Sequence, residues 1–345
     1  MTETVVRSSR LTGTQVRLLS LGTYVAAITA YTLLIGIPKQ SWVAVIWLWL
    51  LTIAWDVRKP VREHLAFLRD WSIPVVLLLV YLYSRGISDD LGFVEVHITE
   101  PITADRWMFG GTLPTEWLQA HLCGDPCIRA TSPNWYDVLL TTVYYSHFFV
   151  GLTIAAVLWM RNRPEWVRWM RRYLSLNFLA LVIYVVYPMA PPWMASRDGY
   201  ITEDISRITG RGWWEFGRGG GGHSGGGTHD KFSAVGNQVA AMPSLHAGIA
   251  ILVAAYLISR LRSPWRWLLV LYPCAMSFML VYYAEHYVID IVAGGVCAAL
   301  VLVGWTTWER WRARSADDLD VEPGGPEPAH EPDPERQEHL GAPSR

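Results

Sequence analysis

Glu285-His286-Tyr287-Val288-Ile289-Asp290 opens an apolar run that continues to Thr306. A bilayer core needs about 20 residues of helix, so this run reads as a membrane helix. Its beginning carries a histidine and, four residues on, an aspartate, which helical spacing puts on one face. Upstream, Ala241-Met242-Pro243-Ser244-Leu245-His246 opens another apolar run, with one further run between the two. The chain from His246 to His286 is long enough to cross a membrane and return, so both histidines belong to the same membrane face.

The composition agrees with this reading: 52% hydrophobic residues, 17% charged and 19 Trp exclude an ordinary soluble domain. Apolar runs occupy Leu18–Ile37, Ser41–Trp55, Trp71–Ser84, Trp135–Met160, Tyr173–Ala190, Pro243–Ser259, Trp265–Tyr283 and Tyr287–Thr306. The expected fold is therefore an all-α integral membrane protein of about eight transmembrane helices. The second and third runs are short for a crossing. Trp and Tyr gather at run ends, where amphipathic rings prefer the headgroup layer.

Basic residues mark every second connection: Arg7, Arg10 and Arg17; Arg58, Lys59, Arg62 and Arg69; Arg161, Arg163, Arg168, Arg171 and Arg172; Arg260, Arg262 and Arg266; Arg310, Arg312 and Arg314. Positively charged loops stay in the cytoplasm. Both termini are then cytoplasmic, while the long connections 85–134 and 191–242, together with His246 and His286, lie outside. The net charge of -1 hides this asymmetry, and no nucleic-acid partner is expected. No small-residue cleavage site follows the first run, which reads as a retained anchor. Residues 1–70 hold an N-terminal segment and two accessory helices, residues 71–314 hold a six-helix core, and 315–345 form an acidic, Pro-rich tail expected to be disordered.

Cys123 and Cys127 fall in an outer connection, where an oxidising exterior permits a short disulfide; a metal site that adds His121 is the alternative. Cys274 and Cys297 sit inside apolar runs as small packing residues. A Pro and a Ser at the start of the His246 run suit a helix N-terminus, whose free N–H groups favour a phosphate. Taken alone, an ordinary capped helix fits as well. Asp290 orienting His286 through Nδ1 and leaving Nε2 free is the arrangement of a catalytic triad, and an ionisable group inside an apolar run points to function. A structural His–Asp pair would satisfy the same spacing.

Together these segments resemble the type 2 phosphatidic acid phosphatase superfamily. Ala241-Met242-Pro243-Ser244-Leu245-His246-Ala247 and His286-Tyr287-Val288-Ile289-Asp290 are similar to its second and third motifs. The Met-Pro-Ser-Leu-His form is closest to the inositol phosphorylceramide synthase branch, and Tyr187-Pro188-Met189-Ala190-Pro191-Pro192-Trp193 is similar to that branch's Pro-rich segment. The resemblance covers the six helices from Trp71 to Thr306.

It implies a metal-independent, cofactor-free phosphotransferase. His286 would form a phosphohistidine with Asp290 orienting it, His246 would act as acid and then base, and Ser244 with nearby amides would hold phosphate. The implied partners are a lipid donor, a lipid or alcohol acceptor and the bilayer. The transferred group would be a phospho-headgroup, with phosphoinositol as the candidate. With water as acceptor, the same site would be a lipid phosphate or polyprenyl diphosphate phosphatase; a non-catalytic lipid carrier is the third reading.

Leu280 stands where the phosphatase pattern has an arginine. Arg197, Arg207, Arg211, Arg218 and Lys231 are the outer-loop cations available to replace it, Arg197 first because it follows the Pro-rich segment. The segment Gly217–Gly227 lacks the Gly-Lys-Ser/Thr of a phosphate loop and reads as a flexible outer loop, with His223 and His229 solvated. His147 lies mid-helix, either lining a lipid cavity or packing. The Asp-Gly-x-x-Ala-Arg motif of metal-dependent CDP-alcohol phosphotransferases is absent. The Arg- and Trp-rich composition suits a bacterial plasma membrane, with the site on the extracytoplasmic face.

Overall fold

The computed structural model describes residues 12–35, 41–87, 94–124, 127–128, 132–213 and 239–320, without the side chains of 41, 87 and 316–320. Its elements are α1 (Gly13–Leu34), α2 (Ser41–Trp55), α3 (Val61–Ile87), α4 (Thr99–Met108), α5 (Pro114–Leu122), α6 (Trp135–Arg161), α7 (Arg163–Val186), α8 (Pro192–Arg197), a 3-10 turn at Arg211–Trp213, α9 (Leu245–Arg260), a 3-10 stretch Pro264–Val270 running into α10 (Leu271–Tyr282), and α11 (Val288–Asp320). No strand occurs among the described residues. Residues Met1–Leu302 form one compact unit and Val303–Arg345 a second. The described part of the second is helical, with Trp305 and Trp308 packed edge to face.

Each of the eight apolar runs contains a helix among the described residues, and the chain is an integral membrane protein. Six helices are long and apolar enough to cross a bilayer: α1, α3, α6, α7, Pro264–Tyr282 and α11. The second run, α2, is shorter, as its composition predicts, and so is α9. At 1.5 Å per residue α9 measures about 24 Å against a hydrocarbon core of about 30 Å. The third run is not short. α3 starts at Val61, before the apolar stretch, and α7 starts at Arg163, so Arg168, Arg171 and Arg172 lie on a helix and only Asn162 separates α6 from α7. Hydropathy marks where lipid begins, whereas a helix continues into the polar layer as long as its residues permit.

Local chemistry sets these boundaries. Thr12 and Gln15 form a reciprocal capping box at α1. The Asn162 side chain accepts the Glu165 N–H at α7, where Pro164 occupies the first turn. One end of the bundle is rich in ion pairs: Asp70 with Arg163, and Glu165 with both Arg168 and Arg260.

The opposite end is built from the two long connections. Residues around His97, Met189 and Ala240 pair as isolated parallel bridges. Arg106 binds Glu203, and Gln119 donates from Nε2 to the carbonyls of Ser206 and Tyr282. Cys123 and Cys127 are joined in a disulfide. Beside it Arg211 and Asp137 form an ion pair with side chains 2% and 0% exposed, and the Tyr282 hydroxyl donates to Asp137. These contacts brace the turn Tyr283-Ala284-Glu285-His286 that leads into α11. Ala284 holds a left-handed φ of 61° there, a conformation that a residue with a Cβ adopts only when its surroundings enforce it.

Candidate active site

His246 and His286 meet at this end. His246 lies in the first turn of α9, which Ser244 caps by accepting the Ala247 N–H. Pro243 precedes the cap instead of occupying the first turn as expected. The Ser244 hydroxyl faces its own helix and is fully buried, with one proton still to donate. The two histidine ring centroids are 6.0 Å apart.

α11 begins at Val288, so His286 precedes the helix and does not share a helical face with Asp290. The pair forms by another route. Asp290 occupies the third helical position and folds back, so that Oδ2 accepts the Tyr287 N–H at 2.9 Å and lies 3.4 Å from Nδ1 of His286. The latter is the long end of hydrogen bonding. Asp290 is 0% exposed.

Two features fix α9 against α11. The Ser244 N–H donates to the Asp290 carbonyl at 2.9 Å. Gly248 and Gly294 face each other, so that a Cβ on Gly294 would lie 2.3 Å from the Ser244 carbonyl oxygen. Small residues let helix backbones approach this closely.

A further contact was invisible in the sequence. Asp105 of α4, 0% exposed, accepts the N–H groups of Val288 and Ile289 at 2.9 and 3.1 Å. It caps α11 from 183 residues away in the chain. Burial pushes its carboxyl up from the usual value, and the two backbone donors work against that shift.

The structure gives the contacts of three of the expected cations. Arg197 is 55% exposed and pairs with its neighbour Asp198. Arg207 reaches Glu285, next to His286, through Nε at 2.7 Å and Nη2 at 3.0 Å, and stands 4.8 Å from the Trp193 ring centroid. Arg211 is committed to Asp137. Arg218, Lys231, His223, His229 and the Gly-rich segment lie outside the described residues. Arg85, at the end of α3, interacts with Tyr81, lies 5.8 Å from the Tyr184 ring centroid and is within electrostatic range of His147 and His246. Leu280 is fully buried in an apolar cluster with Met276, Met279 and Ala247.

α6 supplies the wall around His246. Tyr144 stacks on its ring at 5.1 Å, Phe148 meets it edge-on at 6.0 Å, and His147 lies 4.1 Å away. Among the described residues no three His, Cys, Asp or Glu side chains converge as the ligands of a metal ion would.

Two histidines and an aspartate thus lie together at adjoining helix starts within a membrane bundle. The PAP2 superfamily pattern matches residues 127–305, and the chain belongs to that superfamily. It is also similar to phosphoinositol dihydroceramide synthase of Bacteroides thetaiotaomicron, with 28% identity over 201 residues. That match covers 53% of this chain and 60% of the relative. No solved structure matches the chain with significance.

Proposed function

We propose that the chain transfers a phospho-headgroup, phosphoinositol being the leading candidate, from a lipid donor to a lipid hydroxyl. The observation that carries this is the placement of His246 and His286 6.0 Å apart at two joined helix starts. That gap accepts one phosphoryl group with an attacking ring on one side and a proton donor on the other. The synthase-named relative supports a lipid acceptor.

In this reading Nε2 of His286 attacks phosphorus while Asp290 holds the ring through Nδ1. The bond from phosphorus to the donor lipid's oxygen breaks, and that oxygen takes a proton from His246. An acceptor hydroxyl then gives its proton to His246 and attacks the phosphohistidine, which frees His286. The Ser244 hydroxyl and the first-turn amides of α9 bind the phosphoryl oxygens. Arg207 contributes a cation, since Glu285 occupies Nε and Nη2 and leaves Nη1 to donate. We assign all eight helices to the membrane, both termini to the cytoplasm and the site to the extracytoplasmic face of a bacterial plasma membrane. The alternation of basic connections supports that orientation.

The test is mass spectrometry of products formed by the full-length protein in detergent from isotopically labelled lipids, beside His286→Ala. A new lipid carrying the intact labelled headgroup supports transfer. Headgroup or phosphate released to water makes the protein a hydrolase, and identical products from the variant remove the catalytic reading. Turnover lost in EDTA and restored by zinc or magnesium would overturn the metal-independent mechanism.

A further inference from the structure

Three histidines, not two, meet at the candidate site. His147 stands on α6, and its ring centroid lies 4.1 Å from that of His246 at an interplanar angle of 33°. The residue is 9% exposed, and its Nδ1 is buried with no hydrogen-bond partner among the described residues. Nε2 of His246 is in the same condition. Two neighbouring imidazoles thus each carry a buried polar atom that protein leaves unsatisfied.

Packing alone does not account for His147. Tyr144 and Phe148 already supply aromatic surface to His246 from the same helix. A phenylalanine at 147 would fill the space without a polar atom. An unpaired buried donor or acceptor costs about 1–3 kcal/mol, and such groups in native proteins have an explanation. Here the explanation at hand is a polar ligand between the rings.

We infer that His147 is a substrate-contacting residue that donates a hydrogen bond to an oxygen of the phosphoryl group held between His246 and His286. The inference rests on the transferase-or-hydrolase reading of the site and adds a contact outside the His–His–Asp set. It also gives a reason for the aromatic wall of α6: Tyr144 and Phe148 hold His246 in place while His147 supplies a polar contact from that helix.

The test uses full-length protein in detergent, with orthovanadate as the phosphate mimic. Vanadate affinity, kcat and KM are measured for wild type, His147→Phe and His147→Gln, with melting temperatures alongside. The expected result is a vanadate Kd raised at least tenfold in His147→Phe, a kcat/KM lowered at least tenfold, an unchanged melting temperature, and substantial recovery in His147→Gln. Wild-type vanadate affinity in His147→Phe overturns the inference, as does failure of vanadate to bind wild type. If the Phe variant does not fold, His147→Met is judged by the same criteria.

Failure of the functional reading looks different. No lipid product would form from wild type, yet the vanadate contrast between wild type and His147→Phe would persist.

Discussion

Gly294 approaches Ser244 so closely that a methyl group on it would lie 2.3 Å from the Ser244 carbonyl oxygen. The same Ser244 donates its N–H to the Asp290 carbonyl. One short crossing of α9 and α11 therefore sets the distance between His246 and His286. Gly294→Ala should force the helices apart, with a loss of about 1–3 kcal/mol in stability, as for other overpacked contacts. Turnover should fall more than tenfold. Gly22→Ala, where a Cβ meets nothing within 4 Å, should leave both unchanged. Thermal unfolding and product formation on the two variants measure this.

Asp105 caps α11 from α4, and its two accepted hydrogen bonds fix the start of the helix that follows His286. Asp105→Ala should cost about 0.5–2 kcal/mol, the range for a lost cap, and lower kcat more than it raises KM. Asp105→Asn keeps an acceptor and removes the titration. Because burial raises the carboxyl in the folded protein, the folded chain binds more protons than the unfolded one above the ordinary value of about 4. Stability from this group is complete below that value and declines as pH rises through the folded pKa. Melting temperatures against pH should show the decline in wild type and its absence in Asp105→Asn.

Much of this architecture was legible in the chain. Apolar runs without a period marked the helices, six of them long and apolar enough to cross a bilayer, because burial in lipid demands hydrophobicity on every face. The starts of α3 and α7 were misplaced, because Arg62 or Arg168 is as compatible with a helix as with a loop. His246, His286 and Asp290 announced themselves by chemistry at helix starts, though the His286–Asp290 contact arises from a fold-back at the third helical position and not from a shared helical face. Asp105 gave no local signal, and Arg207 was one outer-loop cation among five. Their partners, Val288 and Glu285, lie far along the chain, and only the packing of the two long connections brings them in. Arg197 was favoured by position in sequence, and the structure adds its contact with Asp198.

The buried pair Arg211–Asp137 joins the disulfide loop, α6 and the end of α10, with both side chains almost fully enclosed. Removing one member leaves the other charged and unpaired. Asp137→Ala should therefore destabilise by about 3–5 kcal/mol. Replacing both partners at once (Arg211→Met with Asp137→Leu) should cost less than the single change. A double-mutant cycle by thermal or denaturant unfolding in detergent reads this directly, and additive losses would contradict it.

Arg207 and Arg197 are the two outer-loop cations between which rates can decide. Both arginines engage a carboxylate through Nε and Nη2 and keep Nη1 to donate, but Arg207 does so on Glu285, the neighbour of His286, and Arg197 on Asp198. Preorganised donors at a developing charge are worth roughly 10²–10³ in rate. Arg207→Ala should lose a factor of that order in kcat/KM. Arg207→Lys should recover part of it, since a point charge replaces the fork. Arg197→Ala should stay within about twofold, the scale of an exposed ion pair. Initial rates over a range of donor lipid concentrations distinguish the three. Equal losses at the two positions would mean that both arginines reach the substrate, and a larger loss at Arg197 would return it to the role its place in the sequence first gave it.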